Sequence, residues 1–379
     1  MIDYQKVAII GAGNGGRATA VYLKNRGFTV NLLFRTFERI KTIYFTKQIR
    51  SEGRLKGIYD IDLITPEYAQ LLEEDIGVII YVLPANVHAD TTRKIISYLQ
   101  NNQILLLTPG RTWGAVEVYN IIRKLRPDLR IYVGETQTLP FTSRSIGDSG
   151  VDIIEIKTQC QYCFYPEKYN HRVTGPMFKL FPRLVDVDDI RITSLNNIGA
   201  ILHPAGLILN TGTISRKQPL LFYTEGMSKE VVKIVEAVDK ERCAIMRKLG
   251  MKPVTFLQWA SNVYGVREKD FYTTFQRIRG YQTIPAPKQM DVRYLSEDVP
   301  TGLVPLSSIG KHLGVPTPAT DALINLACVI METDFRSIGR TNDNVGLSID
   351  LLISPEYKLE TDIPIDSETQ THEESSVDE

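Results

Sequence analysis

His203 is the side chain in this sequence best suited to exchange a proton near neutral pH. Asn196 lies seven residues earlier, so on a single helix the two side chains share a face, with the small residues Gly199 and Ala200 between them. Pro204 cannot donate a backbone hydrogen bond to Ala200, so a helix here is expected to kink or restart. The pattern fits a histidine that projects into a ligand cleft and, equally well, a hydrogen-bonded histidine in the core.

Asp321 is the carboxylate predicted to work with His203. It lies in the first turn of a helix that Thr317 and Pro318 are expected to begin, where an acid also suits the helix dipole without any catalytic role. In the functional interpretation, the carboxylate holds the imidazole in one tautomer and supports its protonated form. His203 and Asp321 are therefore the predicted catalytic residues, and Asn196 is a predicted substrate contact.

Three further ionisable side chains follow predicted strands. Glu135 could meet the ammonium group of a substrate, and His88 is a second candidate for substrate binding. Arg111 occupies a similar position after another strand. Each of the three could instead be a solvated loop residue.

The elements that would position these side chains alternate through the first half of the chain. Short apolar runs that read as strands buried on both faces are separated by helix-like stretches, which is the pattern of a parallel, doubly wound sheet. Ligands on such sheets bind beyond the carboxyl ends of the strands, where residues 84–88, 108–111 and 134–136 lie. The apolar runs are residues 6–10, 28–34, 76–83, 103–108 and 129–133, and helix-like stretches are 89–99 and 115–125.

From about residue 190 the pattern becomes mainly helical. We expect an N-terminal α/β domain over residues 1–188, a helical catalytic and substrate domain over 189–360, and a disordered acidic tail over 361–379. Residues 291–306 are interpreted as an irregular connector. The predicted helices of this half cover 194–210, 228–249, 254–264 and 319–333.

A glycine-rich turn joins the first strand to the first helix. In the run Gly11-Ala12-Gly13-Asn14-Gly15-Gly16, Gly11 permits a tight turn, Gly13 lets the backbone approach phosphates, and Gly16 lets helix and strand pack closely. The first N–H groups of the helix then point at an anion. This arrangement predicts a Rossmann dinucleotide-binding unit, with Gly11, Gly13, Asn14, Gly15 and Gly16 as cofactor contacts.

The residues after the second strand bear on which dinucleotide is bound. An NAD site usually has an acid there, but this chain has Arg35 and Thr36, which suit a 2′-phosphate. Glu38 could still serve a ribose from the following loop. The sequence therefore favours NADP over NAD, and Pro84, after the run 76–83, is a further predicted cofactor contact.

Composition excludes several partner classes. Lys plus Arg and Asp plus Glu both total 44, so no general electrostatic attraction to nucleic acid or membrane is expected. No apolar run reaches membrane-spanning length, and four cysteines without a secretory signal indicate the cytoplasm. Cys160 and Cys163 form a single C-x-x-C, whereas zinc would need a second pair, so we expect free thiols and no metal. A homodimer is left open.

Several stretches taken together resemble the octopine/nopaline dehydrogenase family, the opine dehydrogenases. The similarity runs from about residue 5 to residue 355, and it is the order and spacing of the motifs that make the set specific. The motifs are residues 11–16, Leu83-Pro84-Ala85 with His88, Pro109-Gly110-Arg111, Glu135-Thr136-Gln137-Thr138-Leu139-Pro140, Asn196-Asn197 with His203-Pro204, Glu225-Gly226, 238–242, 293–300, and Pro316-Thr317-Pro318 with Asp321.

The resemblance implies a Rossmann domain followed by a helical domain, with the active site between them. Enzymes of this family condense an amino acid with a 2-oxo acid, often pyruvate, and reduce the resulting imine with NAD(P)H. His203 would be the general acid/base and Asp321 its partner. An arginine for the 2-oxo acid carboxylate is not fixed by the motifs, and Arg144, Arg279 and Arg293 are the candidates.

Two rival functions fit the same fold. A reductase of the glycerol-3-phosphate or ketopantoate type would rely on a lysine in the substrate cleft, and residues 190–212 contain none. A non-catalytic dinucleotide sensor would need neither a histidine facing a carboxylate nor an open cleft. The amino acid, the 2-oxo acid, the stereochemistry and the oligomeric state are not determined by the sequence.

Overall fold

A parallel sheet forms the centre of the N-terminal half. The computed structural model describes residues 2–73 and 75–353. The apolar runs of the sequence form its central strands, and β6 and β7, for example, are buried along their whole length. The strands are β1 Asp3–Ile10, β2 Thr29–Leu33, β3 Gln48–Gly53, β4 Gly57–Asp60, β5 Leu63–Thr65, β6 Ile76–Tyr81, β7 Ile104–Leu107, β8 Tyr132–Thr136, β9 Phe141–Ile146, β10 Gly150–Ile156, β11 Gln161–Tyr165 and β12 Val185–Asp186.

Within the described residues, the main sheet has eight strands in the order β12-β11-β8-β7-β6-β1-β2-β5. Its central pairs are parallel, and only β11 runs antiparallel to its neighbour β8. Strand order reverses between β1 and β6, which is the position where doubly wound sheets bind their ligands. The predicted Rossmann-like sheet is confirmed.

A second sheet, in the order β4-β3-β10-β9, covers helix α1 and was not predicted. Its strands are only partly buried, as in β4, where half-buried and exposed positions alternate. They therefore lack the continuous apolar runs by which the main sheet was recognised.

The helices dominate the second half, as expected. Helix α10 begins at Ser228, whose hydroxyl accepts from the Val231 N–H, and α11 begins at a capping box of Thr255 and Gln258. The helices are α1 Asn14–Lys24, α2 Lys41–Thr46, α3 Tyr68–Leu71, α4 His88–Ile95, α5 Gly114–Leu125, α6 Asn170–Leu180, α7 Ile190–Leu195, α8 Ile198–Ile208, α9 Thr211–Ser215, α10 Lys229–Lys248, α11 Phe256–Tyr264, α12 Phe271–Arg277, α13 Arg293–Ser296, α14 Val304–Leu313, α15 Pro318–Met331, α16 Phe335–Ile338, α17 Asn342–Val345 and α18 Ile349–Ile353.

The two halves share one of the two hydrophobic cores. One face of the sheet, including Ile10, Tyr81 and Leu107, packs into a core that continues into the helical half. The other face packs against α1 and the second sheet. The sheet and the helices are thus joined over a broad apolar interface, with the carboxyl ends of the strands at its edge. The predicted tail, residues 361–379, lies outside the described residues.

The predictions for two segments of the helical half were wrong. Residues 194–210 are two helices, α7 and α8, divided at Asn196 and Asn197, so Asn196 and His203 do not share one helix. Helix α8 runs through Pro204, because the proline removes only one of its backbone hydrogen bonds. Residues 291–306 are no irregular connector: they form α13, a π-helical turn over Val299–Leu303, and the start of α14.

Candidate active site

The glycine-rich turn has the shape that a dinucleotide pyrophosphate requires. Gly11 has a φ of 118°, and a side chain there would collide with the carbonyl oxygen of Val82 at the end of β6. A side chain on Gly16 would collide with the Gly11 carbonyl, so helix and strand approach closely. A Cβ on Gly13 would meet no protein atom within 4 Å, so that face is open to a ligand. The loop therefore fits the cofactor predicted for it.

The other predicted contacts of the cofactor surround this loop. Arg35 and Thr36 are exposed just beyond β2, and Pro84 is exposed just beyond β6. No hydrogen bond or ion pair within the described part of the chain engages the Arg35 side chain. Asn14 begins α1, but its Oδ1 accepts from Ser145 Oγ at 2.6 Å, which ties the helix to the second sheet. Gly15 is buried, and its missing side chain leaves room for Leu139.

His203 is held by two polar partners. Its Nδ1 lies 2.7 Å from Asp298 Oδ2, and its Nε2 lies 3.0 Å from the hydroxyl of Tyr223. The Tyr294 ring stacks on the imidazole with a centroid separation of 4.1 Å. The His203 side chain is 12% exposed and that of Asp298 is 0% exposed. This is the geometry of a general acid/base whose tautomer is fixed by a buried carboxylate.

The charge state of Asp298 follows from its surroundings. Burial alone would raise its pKa, but the charges of Arg111 and His203 lower the pKa to about 2. Asp298 is therefore ionised at neutral pH and accepts the Nδ1–H of His203. Burial lowers the pKa of His203, and the negative charge of Asp298 partly offsets that effect.

Arg111 joins this pair to the sheet. Its Nε donates to Glu297 at 2.9 Å, its NH1 donates to Asn197 at 3.0 Å, and its NH2 lies 3.3 Å from Asp298. The backbone of Arg111 is left-handed, with a φ of 62°, which is uncommon for a residue with a side chain. A Cβ on Gly199 would lie 2.9 Å from Arg111 NH1 and 3.2 Å from His203 Cε1, so only glycine leaves this space free.

Asp321 is not the partner of His203, and this prediction was wrong. Its carboxylate accepts from Ser307 at 2.7 Å, from Arg336 at 2.8 Å and from Thr317 at 3.0 Å. It lies in the first turn of α15 and ties this helix to α14 and α16. The alternative interpretation was the correct one: an acid in a first helical turn stabilises the helix and has no catalytic role.

Glu135 is also structural. It is fully buried, and its two oxygens accept hydrogen bonds from Ala115 N at 2.9 Å and from the hydroxyls of Thr193 and Ser194 at 2.7 Å each. Burial raises the pKa of its carboxyl group. The carboxylate therefore anchors the start of α5 and the C-terminal end of α7, and it has no exposed surface to offer a substrate ammonium group.

The predicted substrate contacts Asn196 and His88 are likewise enclosed. Asn196 is 4% exposed, and its Oδ1 accepts from Arg242 at 3.1 Å. His88 is 0% exposed, and burial lowers its pKa well below the ordinary value. Neither side chain reaches solvent. The neighbouring Asn197, not Asn196, contacts the site through Arg111.

Among the three arginine candidates, Arg293 belongs to the site. It lies on α13, five residues before Asp298, and its side chain is 59% exposed. Its NH1 is 3.8 Å from Glu297 Oε2, and its charge acts on both His203 and Asp298. Arg144 donates to the carbonyl of Ser143 on the second sheet, and no contact of Arg279 with the His203 site occurs in the described residues.

Sequence reasoning missed two residues that contact the predicted His203 side chain, Asp298 and Tyr223. Asp298 and Glu297 fall inside the stretch interpreted as a connector, and Tyr223 is not among the predicted site residues. A signal was available: Glu297-Asp298 is a pair of acids flanked by the apolar residues Leu295 and Val299, and acids in such a setting need buried partners.

Three structural findings concern the partner classes that composition addressed. Cys160, Cys163, Cys243 and Cys328 are free thiols. In residues 2–73 and 75–353, no group of three or more His, Cys, Asp or Glu side chains is placed to hold a metal ion. No helix in the same ranges is long and apolar enough to cross a membrane.

Comparison with known proteins identifies the family. The family model for the alpha-helical domain of NAD/NADP octopine/nopaline dehydrogenases matches residues 187–331. The chain is 35% identical over 349 residues to an opine dehydrogenase of Arthrobacter sp. (strain 1C), which covers 92% of this chain and 97% of that protein.

Solved structures show the same fold. An octopine dehydrogenase structure with NADH and L-arginine superposes with a TM-score of 0.74 at 17% identity, covering 92% of this chain and 97% of that one. Yersinopine dehydrogenase with NADP+ bound gives a TM-score of 0.68 at 13% identity, covering 92% and 96%. The chain belongs to the octopine/nopaline family of opine dehydrogenases and is an NAD(P)-dependent oxidoreductase.

Proposed function

We propose that this enzyme condenses an amino acid with a 2-oxo acid, pyruvate or a close relative, and reduces the resulting imine. The observation that carries the proposal is the His203–Asp298 pair, at 2.7 Å, next to the carboxyl edge of the nucleotide-binding sheet. Arg111, which follows β7, contacts both Asp298 and Glu297. The proton donor therefore lies where a doubly wound sheet presents its ligand.

The nicotinamide, when bound, supplies a hydride, and the protein supplies position and a proton. Condensation of an amine with a ketone releases water, and His203 is placed to donate a proton to the departing oxygen. Ionised Asp298 keeps the other ring proton on Nδ1, so Nε2 is the nitrogen that gives and receives protons. In the neutral ring, Nε2 accepts from the hydroxyl of Tyr223, which holds the imidazole plane in place until substrate enters.

Arg293 is proposed to bind the carboxylate of the 2-oxo acid. Its guanidinium is more than half exposed, while the other arginine of the site, Arg111, is buried and bonded to protein groups. Its position on the same chain segment as Asp298 places the carboxylate beside the proton donor. An arginine suits this task because its planar fork matches a carboxylate.

NADPH is the proposed reductant. Arg35 and Thr36 are exposed at the end of β2, where an adenosine ribose is recognised, and no acid directly follows the strand. The Arg35 guanidinium would bind the 2′-phosphate. Relatives do not settle this choice, since solved structures of the same fold hold NADH in one case and NADP+ in another.

The two rival functions predict different substrate requirements. A ketopantoate-type reductase would reduce a 2-oxo compound without any amine and would use a lysine as proton donor. The proposed enzyme uses His203 and needs both substrates. A non-catalytic dinucleotide sensor would bind NADPH but would not oxidise it, whether one substrate, both or neither is present.

The test is a screen of amino acid and 2-oxo acid pairs that follows oxidation of NADPH and NADH and identifies products by mass spectrometry. We expect oxidation only when both substrates are present, and a product whose mass is that of a secondary amine joining them. Oxidation with the 2-oxo acid alone, yielding a 2-hydroxy acid, would overturn the proposal. Failure of every pair with both cofactors would also overturn it.

A further inference from the structure

Lys157 is a cation at the end of a strand of the second sheet, and the mechanism above does not use it. It directly follows β10, and its backbone N–H donates to the Pro140 carbonyl at 2.9 Å. Its ammonium donates to the hydroxyl of Thr138 at 3.1 Å. Thr138 and Pro140 belong to the loop after β8, and Leu139 in that loop packs over Gly15 of the glycine-rich turn. Lys157 is therefore fixed beside the cofactor loop.

The surroundings of Lys157 contain charges of both signs, because Glu155 attracts its ammonium while two arginines repel it. Both Arg111 and Arg293 act electrostatically on its ammonium, which places Lys157 on the side of the His203 site. Burial is the largest effect on the pKa of Lys157 and lowers it; Cys160 and Glu155 raise it, and the two arginines lower it further. Cys160 is close by, with its Sγ 3.1 Å from the Thr138 carbonyl, but burial raises the pKa of that thiol to about 11. The thiol is neutral and cannot balance the lysine.

The other charges of the site already balance one another. Arg111 and Arg293 together face Glu297 and Asp298, at distances from 2.9 to 3.8 Å. Among the described residues, no carboxylate oxygen lies within 4.0 Å of the Lys157 ammonium. In the described part of the chain, the half-buried ammonium of Lys157 thus has no carboxylate in contact with it, since Glu155 acts on it only from beyond 4.0 Å. Such a charge is costly unless an anion joins it.

We propose that Lys157 binds the second carboxylate of the substrate pair, that of the amino acid, while Arg293 binds that of the 2-oxo acid. The inference rests on the proposed function, since an opine carries two carboxylates flanking one secondary amine. Lys157 and Arg293 would each hold one carboxylate of the opine. The secondary amine nitrogen, and the carbon that receives the hydride, would then lie between the two cations. Lys157 would then select α-amino acids over simple amines.

The test uses binding and needs no turnover. Iminodiacetate is the smallest skeleton with two carboxylates flanking a secondary amine, and sarcosine is its counterpart with one carboxylate. Calorimetric titration of each into the enzyme saturated with oxidised cofactor gives the preference for the dicarboxylate. In the wild type we expect iminodiacetate to bind about tenfold or more tightly than sarcosine, the worth of one charged contact.

Lys157→Met should abolish this preference by weakening iminodiacetate about tenfold, with sarcosine changed less than about twofold because Arg293 can hold it. Lys157→Arg should retain most of the preference, and Lys124→Met, at an exposed lysine on α5, should retain all of it. A preference that survives in Lys157→Met, an equal loss for both ligands, or no preference in the wild type would overturn the inference. Because no reaction is measured, these outcomes are independent of the substrate screen.

Discussion

His203 Nδ1 and Asp298 Oδ2 are 2.7 Å apart although 95 residues separate them in the chain. The histidine is on α8, and the aspartate lies between α13 and the π-helical turn Val299–Leu303. Arg111 holds the carboxylate from the side of the sheet. Both members of the pair thus belong to the helical half, and Arg111 from the N-terminal half contacts the carboxylate across the interface between the two halves.

The first prediction concerns the cofactor. Arg35→Ala should weaken NADPH by about 10–100-fold and NADH by less than about twofold, because only the 2′-phosphate loses a charge-assisted contact. Dissociation constants from fluorescence titration of both cofactors measure this. Arg50→Ala, at an exposed arginine of the second sheet, is the matched control and should change neither. Equal losses for NADPH and NADH in Arg35→Ala would contradict the assignment.

The second prediction separates structure from substrate binding at Glu135. Glu135→Gln keeps the shape but replaces one acceptor oxygen by an amide NH2 group, so a buried N–H or hydroxyl loses its partner. The free energy of unfolding should fall by about 1–3 kcal/mol, while the KM for the amino acid changes less than about twofold. Denaturant unfolding and steady-state kinetics measure the two quantities. If Glu135→Gln raised the KM for the amino acid and left the free energy of unfolding unchanged, Glu135 would be a substrate contact and not a structural residue.

The central strands and the cofactor loop could be predicted from local sequence patterns. Continuous apolar runs marked the central strands, and the glycine turn marked the cofactor loop, because burial on both faces and close backbone approach leave few residue types. The bounds of β8 were set three residues early, at 129–133 against Tyr132–Thr136, since apolar residues of the preceding turn extend the run. The second sheet has no such run.

The partner of His203 could not be predicted in the same way. Asp298 and Asp321 are both acids near helix starts, and nothing in either local sequence shows which one faces residue 203. Tertiary packing decides it: Asp321 finds Ser307, Thr317 and Arg336, whereas Asp298 is enclosed by Arg111 and His203. The prediction that Glu135 contacts substrate was wrong for a related reason. The sequence does not show whether an acid at the end of a strand is buried or exposed.

The measurement that tests the account most directly compares Asp298→Asn with Asp321→Asn in the oxidative direction, using the opine product. His203 must then be neutral to accept a proton, so kcat/KM rises with pH through the His203 pKa, which burial lowers below its ordinary value. The negative charge of Asp298 raises that pKa, so its removal should move the acidic limb of the profile to lower pH.

We expect Asp298→Asn to lower kcat by about 100-fold or more, because the imidazole loses the acceptor that fixes its tautomer, and to shift the acidic limb to lower pH. Asp321→Asn should leave kcat within about threefold and the limb in place, since Asp321 contacts only Ser307, Thr317 and Arg336 through its carboxylate in the described structure. A larger loss of kcat in Asp321→Asn, or an unchanged kcat and pH profile in Asp298→Asn, would contradict the proposed catalytic pair.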